Sequence, residues 1–125
     1  MKIEEYIKSL PDNIISGDDV QLPERSFRNI FEFLELDEND IFYHLGCGDG
    51  KGIFIARNEF NVKKAVGIDN DTKKIQHAND YGKKIKLDRW EFFCEDILTT
   101  KMDDATVILF WFTDNDLIEN MMKKF

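Results

Sequence analysis

The sequence predicts an α/β domain: a Rossmann-like, doubly wound parallel sheet of about four strands, preceded by two helices. Three observations carry this. From residue 41 onward, short apolar runs alternate with stretches of helical period. The runs are nearly apolar throughout, as strands covered on both faces are. One of them ends in a glycine cluster that opens the next helix. Such alternation requires right-handed crossovers, which bring the carboxyl ends of the strands to one edge, and the ligand site of an open sheet lies beyond that edge.

Ile3, Tyr6, Ile7 and Leu10 form the stripe of a first amphipathic helix, which Pro11 stops. Asp12 to Gln21 reads as a polar connection with a turn signal at Ser16-Gly17-Asp18. Pro23 opens a second helix with Phe27, Ile30, Phe31 and Leu34 inward, fading at Asp37. Ile41 to Leu45 is the first strand of the sheet, followed by Gly46-Cys47-Gly48-Asp49-Gly50-Lys51-Gly52 and a helix over Ile53 to Phe60. Ala65 to Ile68 is the second strand, ending in Asp69. Asn70 or Asp71 can cap the helix after it, whose inward positions are Ile75, Ala78 and Ile85. Trp90 to Cys94 is the third strand, ending in Glu95-Asp96. Thr106 to Phe112 is the fourth and most apolar, and Asp114 to Lys124 returns as helix. Residues 1–125 are read as a single domain, with 1–36 as N-terminal helices and 37–125 as the half that carries the site. The glycine loop, Asp69, Asp96 and Phe112-Thr113-Asp114 should converge at the strands' carboxyl ends.

Composition narrows the partners. Hydrophobic residues at 42%, including 11 Phe, suffice for a core, so wholesale disorder is excluded. With 25 Asp plus Glu against 17 Lys plus Arg, the formal charge is −8, and no basic cluster exceeds short pairs. That balance argues against nucleic acid or anionic membrane and favours a basic partner. Two cysteines, Cys47 and Cys94, make neither a disulfide scaffold nor a zinc site. The N-terminus lacks the basic start and apolar run of a signal peptide, so a cytoplasmic protein is expected, with no metal.

The glycine loop decides between chemistries. A dinucleotide fingerprint G-x-G-x-x-G fails from Gly46, where Lys51 stands at the third glycine, and from Gly48, where Ile53 does. A phosphate-cradling G-x-x-x-x-G-K-[ST] loop fails because Lys51 is followed by Gly52 and Leu45 stands five before Gly50. What remains is G-x-G-x-G directly after a strand, one acid (Asp69) ending the next strand 19 residues after Gly50, and another (Asp96) ending the strand after that. Glycines let backbone approach a ligand closely, and a carboxylate accepts two hydroxyl hydrogen bonds.

This combination resembles the class I S-adenosylmethionine-dependent methyltransferases. Phe42-Tyr43-His44-Leu45-Gly46-Cys47-Gly48-Asp49-Gly50 and Val62-Lys63-Lys64-Ala65-Val66-Gly67-Ile68-Asp69 are similar to the small archaeal protein-lysine methyltransferases and, more distantly, to the histone lysine methyltransferases that lack a SET domain. The likeness runs from about Pro23 to the end of the chain. It implies that S-adenosylmethionine is the cofactor, that the Gly46–Gly50 loop passes under its methionine moiety, and that Asp69, with Asn70 beside it, holds the ribose hydroxyls. It also implies that Asp96 and the Ile97 amide meet the adenine. The implied substrate is a lysine side chain of a protein, and the acidic charge balance adds that this protein is basic and that nucleic acid and membrane are not partners.

His44 stands where family members carry an acid, and Leu22-Pro23 stands where the lysine enzymes commonly read Thr-Pro. His44 can be a cofactor contact or a satisfied core histidine, and Asp69 and Asp96 can be helix caps. Phe110, Trp111 and Phe112 can be core or an aromatic wall for a cationic group. Thr113 and Asp114, with Trp111, are the candidates on the acceptor side. The family's larger sheet would cover Thr106–Phe112, so a four-strand unit is expected to be a fragment or to have its edge covered by a partner. The rival reading is a non-catalytic module of the same fold that binds a nucleoside or a protein.

Overall fold

The computed structural model describes residues 3–10, 15–16, 19–20, 22–110 and 115–124. The elements are α1 (Ile3–Ser9), β1 (Ile15–Ser16), β2 (Asp19–Val20), α2 (Glu24–Phe33), β3 (Ile41–Leu45), α3 (Lys51–Phe60), β4 (Lys64–Asp69), α4 (Thr72–Lys84), β5 (Trp90–Cys94), β6 (Val107–Phe110) and α5 (Asn115–Lys124). The main sheet has the order β5-β4-β3-β6, and all its neighbours are parallel. The chain steps outward from β3 through β4 to β5, then returns to the other side of β3 as β6. The order therefore reverses at β3, and the glycine loop leaves the carboxyl end of that strand.

Period-two alternation divides the sheet into two cores. On one face Phe42, Ala65 and Phe92 meet Tyr6 and Ile7 of α1, Phe27 and Phe31 of α2, Ile53 and Phe54 of α3, and Ile75, Ala78 and Tyr81 of α4. On the other, Tyr43, Leu45, Val66 and Ile68 meet Met102 and Met121 of α5. Five rings in contact, Phe27, Phe31, Phe42, His44 and Phe60, tie α2, α3 and β3 on the first face; Phe31, fully buried, lies edge-on to both Phe42 and Phe60.

Local chemistry sets the helix ends. Pro23 precedes α2 in extended conformation and its carbonyl accepts from Ser26 and Phe27. The Asp71 side chain caps α4 by accepting from the amides of Lys73 and Lys74. Gly50 opens α3 and Asn61 closes it, both left-handed. Arg57 of α3 is buried and donates to the carbonyls of Asp88 and Val62 and to the Asp88 carboxylate, pinning the α4–β5 loop.

Three expectations change. The connection read as polar contains a two-residue antiparallel pairing, Ile15 with Val20 and Ser16 with Asp19. Ile85 is not an inward helix position: α4 ends at Lys84 and Ile85 takes extended backbone, packing on the core from the loop. β5 is not covered on both faces. Only Phe92 is buried, and Phe93 is 41% exposed, because no described helix lies over β5 on the second face. β6 is described over Val107–Phe110, all half-buried. Trp111, Phe112, Thr113 and Asp114 lie outside the described residues.

Candidate functional site

The glycine loop turns sharply off β3 because three of its residues adopt left-handed backbone: Gly46 at φ 79°, Gly48 at 55° and Gly50 at 89°. A residue with a Cβ resists that region, which is why glycine alternates here. At Gly50 a Cβ would also stand 2.7 Å from the Phe92 ring. The loop is stitched to β4: the Gly46 and Cys47 amides donate to the Ile68 carbonyl at 2.7 and 3.2 Å, and the Gly50 amide donates to the Cys47 carbonyl at 3.0 Å.

Asp69, the last residue of β4, is half-buried, and its carboxylate accepts from the Gly48 amide at 2.8 Å and from the Asp71 amide at 2.9 Å. A carboxylate has about four acceptor positions, so lone pairs remain for a ligand hydroxyl beside the loop. The Glu95 amide donates to the Asp69 carbonyl at 3.1 Å, which sets the end of β5 next to the end of β4. Asp96 follows, exposed, with its side chain accepting from the Leu98 amide at 2.9 Å and its carbonyl closing the turn that carries Ile97. Asn70 is exposed between Asp69 and the α4 cap. A cleft of about 530 Å³ opens beside Asp96, floored by Tyr43, Ile68 and Phe93 and walled by Glu95, Thr99 and Thr100.

Gly46, Gly48, Gly50, Asp69, Asn70, Asp96 and Ile97 are therefore brought to one edge of the sheet. Cys47 belongs to the loop but is buried, its Sγ facing Gly67, and burial together with the Asp69 charge pushes its thiol well above the usual range. His44 lies on the α2–α3 face of β3. Its ring meets Phe27 edge-on at 5.4 Å, Phe42 at 6.4 Å and the backbone of Gly52, where a Cβ would stand 3.0 Å from Nδ1. That Nδ1 is buried without a hydrogen-bond partner, and desolvation lowers the imidazole to about 4, so His44 is neutral. The candidates Trp111, Thr113 and Asp114 lie outside the described residues.

The structure adds two loop neighbours that the sequence did not connect to the site, Tyr6 and His77. The Tyr6 hydroxyl donates to the Asp49 carbonyl at 2.7 Å, and His77 Nδ1 meets the Asp49 carboxylate at 3.0 Å. Tyr6 reads as core from its helical stripe, and no spacing in the sequence connects it to a residue 43 positions away. Among the described residues no cluster of His, Cys, Asp and Glu could hold a metal, and no helix is long and apolar enough to cross a membrane.

No family model matches the chain. The chain is similar to a protein-lysine N-methyltransferase of Saccharolobus islandicus, 34% identical over 110 residues, covering 83% of this chain and 64% of that protein. An uncharacterized protein of Methanocaldococcus jannaschii is 37% identical over 59 residues, covering 47% of this chain and 26% of that protein. The chain thus spans less than two thirds of the length of these curated relatives. Among solved structures, an RNA methyltransferase from Salinibacter ruber in complex with S-adenosyl-L-homocysteine superposes with a TM-score of 0.75 at 25% identity, over 84% of this chain and 71% of that one. Coclaurine N-methyltransferase bound to N-methylheliamine and S-adenosyl-L-homocysteine superposes at 0.60 with 20% identity, over 77% and 30%.

The parallel sheet with its reversal at β3, the left-handed glycine loop and these likenesses define the class: the chain has the Rossmann-like fold of the class I methyltransferases. Within that class its sequence resembles the archaeal protein-lysine methyltransferases.

Proposed function

We propose that this chain is the cofactor-binding part of an S-adenosylmethionine-dependent methyltransferase that acts on lysine side chains of a basic protein in the cytoplasm. One observation carries the reading most directly. Asp69 holds the Gly48 amide from the end of the neighbouring strand, so a ribose-binding carboxylate and a close-approach loop form one rigid edge. Its spare acceptor positions, the exposed Gly46 and the exposed Asp96 carboxylate suit a ligand with vicinal hydroxyls and an amino-bearing base.

In this reading Gly46, Cys47, Gly48 and Gly50 present backbone to the methionine moiety, Asp69 and Asn70 hold the ribose, and Asp96 with the Ile97 amide orients the adenine. His44 supports the loop as a neutral group, its unpartnered Nδ1 standing behind the first turn of α3. S-adenosylmethionine, when bound, supplies an electrophilic methyl group on a sulfonium centre. The chain's part is positioning and exclusion of water, which suits a displacement whose main demand is alignment. Trp111, Thr113 and Asp114 are proposed for the acceptor side, where an aromatic face favours a cationic amine. Lysine as the acceptor is supported by the Saccharolobus islandicus relative, a protein-lysine N-methyltransferase, and by the net charge of −8, which attracts basic protein and repels nucleic acid.

Calorimetry with S-adenosylmethionine and S-adenosylhomocysteine tests the cofactor, and labelled methyl transfer to lysine-rich protein against RNA tests the acceptor. Heat of binding with label appearing in lysine is expected. No heat at millimolar ligand would leave the non-catalytic module, and label in RNA would overturn the lysine assignment.

A further inference from the structure

We propose that Tyr6, on the N-terminal helix, is a positioning residue for the glycine loop: its hydroxyl holds the Asp49–Gly50 peptide and keeps the loop in its ligand-facing shape. The ligand-facing sense of that shape rests on the cofactor reading above, but the hold itself does not.

Asp49 sits between the two left-handed glycines Gly48 and Gly50 and is gripped at both its polar groups. Its carbonyl accepts from Tyr6 Oη at 2.7 Å, and its carboxylate meets His77 Nδ1 at 3.0 Å. The grip comes from elements remote in sequence, α1 and α4, closing over the loop that joins β3 to α3. Tyr6 is itself immobilised. Its ring stacks on Tyr81 at 3.7 Å with planes 9° apart and stands edge-on to Phe54 at 5.7 Å, and only 2% of the residue is exposed. The hydroxyl is thus aimed by packing rather than by its own rotamer choice. Burial, then the nearby Asp49 charge, pushes the phenol far above its usual range, so the group remains a donor throughout the neutral range.

Glycine loses more freedom on ordering than any other residue. A loop with three left-handed glycines binds tightly only when that cost is met before the ligand arrives, which is the meaning of preorganisation. The bonds from β4 order the loop's first half through Gly46, Cys47 and Gly48, and Tyr6 orders its second half. By linkage, a ligand on the loop must stabilise the docked position of α1 by the same factor.

The test is Tyr6→Phe, which keeps the ring stack and deletes one donor, compared with Ile7→Val, a neighbouring buried position on the same helix whose side chain has no hydrogen-bonding group to offer the loop. S-adenosylhomocysteine affinity by calorimetry should fall about threefold to tenfold in Tyr6→Phe, the effect of one net hydrogen bond, and stay at the wild-type value in Ile7→Val. Amide hydrogen exchange at Gly48 and Gly50, read by NMR on the full chain without ligand, should accelerate by a similar factor in Tyr6→Phe alone. Equal effects of the two substitutions, or unchanged exchange at both glycines, would overturn the proposal and return Tyr6 to the core. If wild type binds no S-adenosylhomocysteine, the cofactor reading fails, and the exchange rates still decide whether Tyr6 holds the loop.

Discussion

Lowering the pH from 7 to 5 is expected to remove about 2 kcal/mol of stability through His44 alone. The imidazole is 5% exposed, packed between Phe27, Phe42 and Gly52, and burial depresses its pKa from the ordinary 6.5 to about 4. Between those two values the unfolded chain takes up a proton that the folded chain refuses. The contribution is therefore fully present above 6.5, is lost progressively as pH falls, and stops changing below about 4, where both states are protonated. At 1.36 kcal/mol per pH unit the whole window is worth about 3 kcal/mol, and about 2 of that has gone by pH 5. The perturbation is His44→Leu, which removes the titrating group and the unpartnered Nδ1 together while nearly conserving volume. At pH 7 its stability should lie within about 1 kcal/mol of wild type. Urea denaturation of both proteins at pH 7, 6 and 5 reads the result, since the contributions of all other groups are common to both and cancel in the difference. Parallel pH dependences would refute the reasoning, because they would mean that the folded protein lets His44 charge.

His44→Asp, which would restore an acid before the glycine loop, should instead cost about 3 kcal/mol or more, since it buries a carboxylate among aromatic rings; a melting curve checks it. Asp69→Ala should weaken S-adenosylmethionine binding by about 1.5 to 3 kcal/mol, and it should also lower the melting temperature because the Gly48 and Asp71 amides lose their acceptor. Calorimetry together with melting separates the two effects. Gly82→Ala places a Cβ 2.3 Å from the Trp90 indole, so a loss of about 1 to 3 kcal/mol with a shift in tryptophan emission is expected. Asp71→Ala removes the cap of α4 and should cost about 1 kcal/mol in urea denaturation.

Much of this architecture is legible in the sequence because it rests on local signals. The parallel sheet follows from alternating apolar runs and helical stripes, and the loop from glycines at alternate positions that only left-handed backbone requires. The α4 cap follows from an acid two and three residues before the amides it accepts. Period-two alternation assigns Phe42 and His44 to one face and Tyr43 and Leu45 to the other. Where one signal has two physical outcomes, the sequence stops. His44 in an apolar strand is compatible with a ligand contact or with a core position, and only the rings of Phe27 and Phe42 closing on it set its charge. The exposure of Phe93 was hidden for a related reason: an apolar strand looks alike whether or not a helix arrives to cover it. The Asp69 carboxylate reads as a ligand group from its place at a strand end. That it also fastens the Gly48 amide emerges only when β3 and β4 pair in register, Leu45 beside Ile68. The hold of Tyr6 on Asp49 is the extreme case. A hydroxyl and a carbonyl 43 residues apart leave no periodic trace, because hydrogen bonds between elements depend on how helices pack rather than on how residues are spaced.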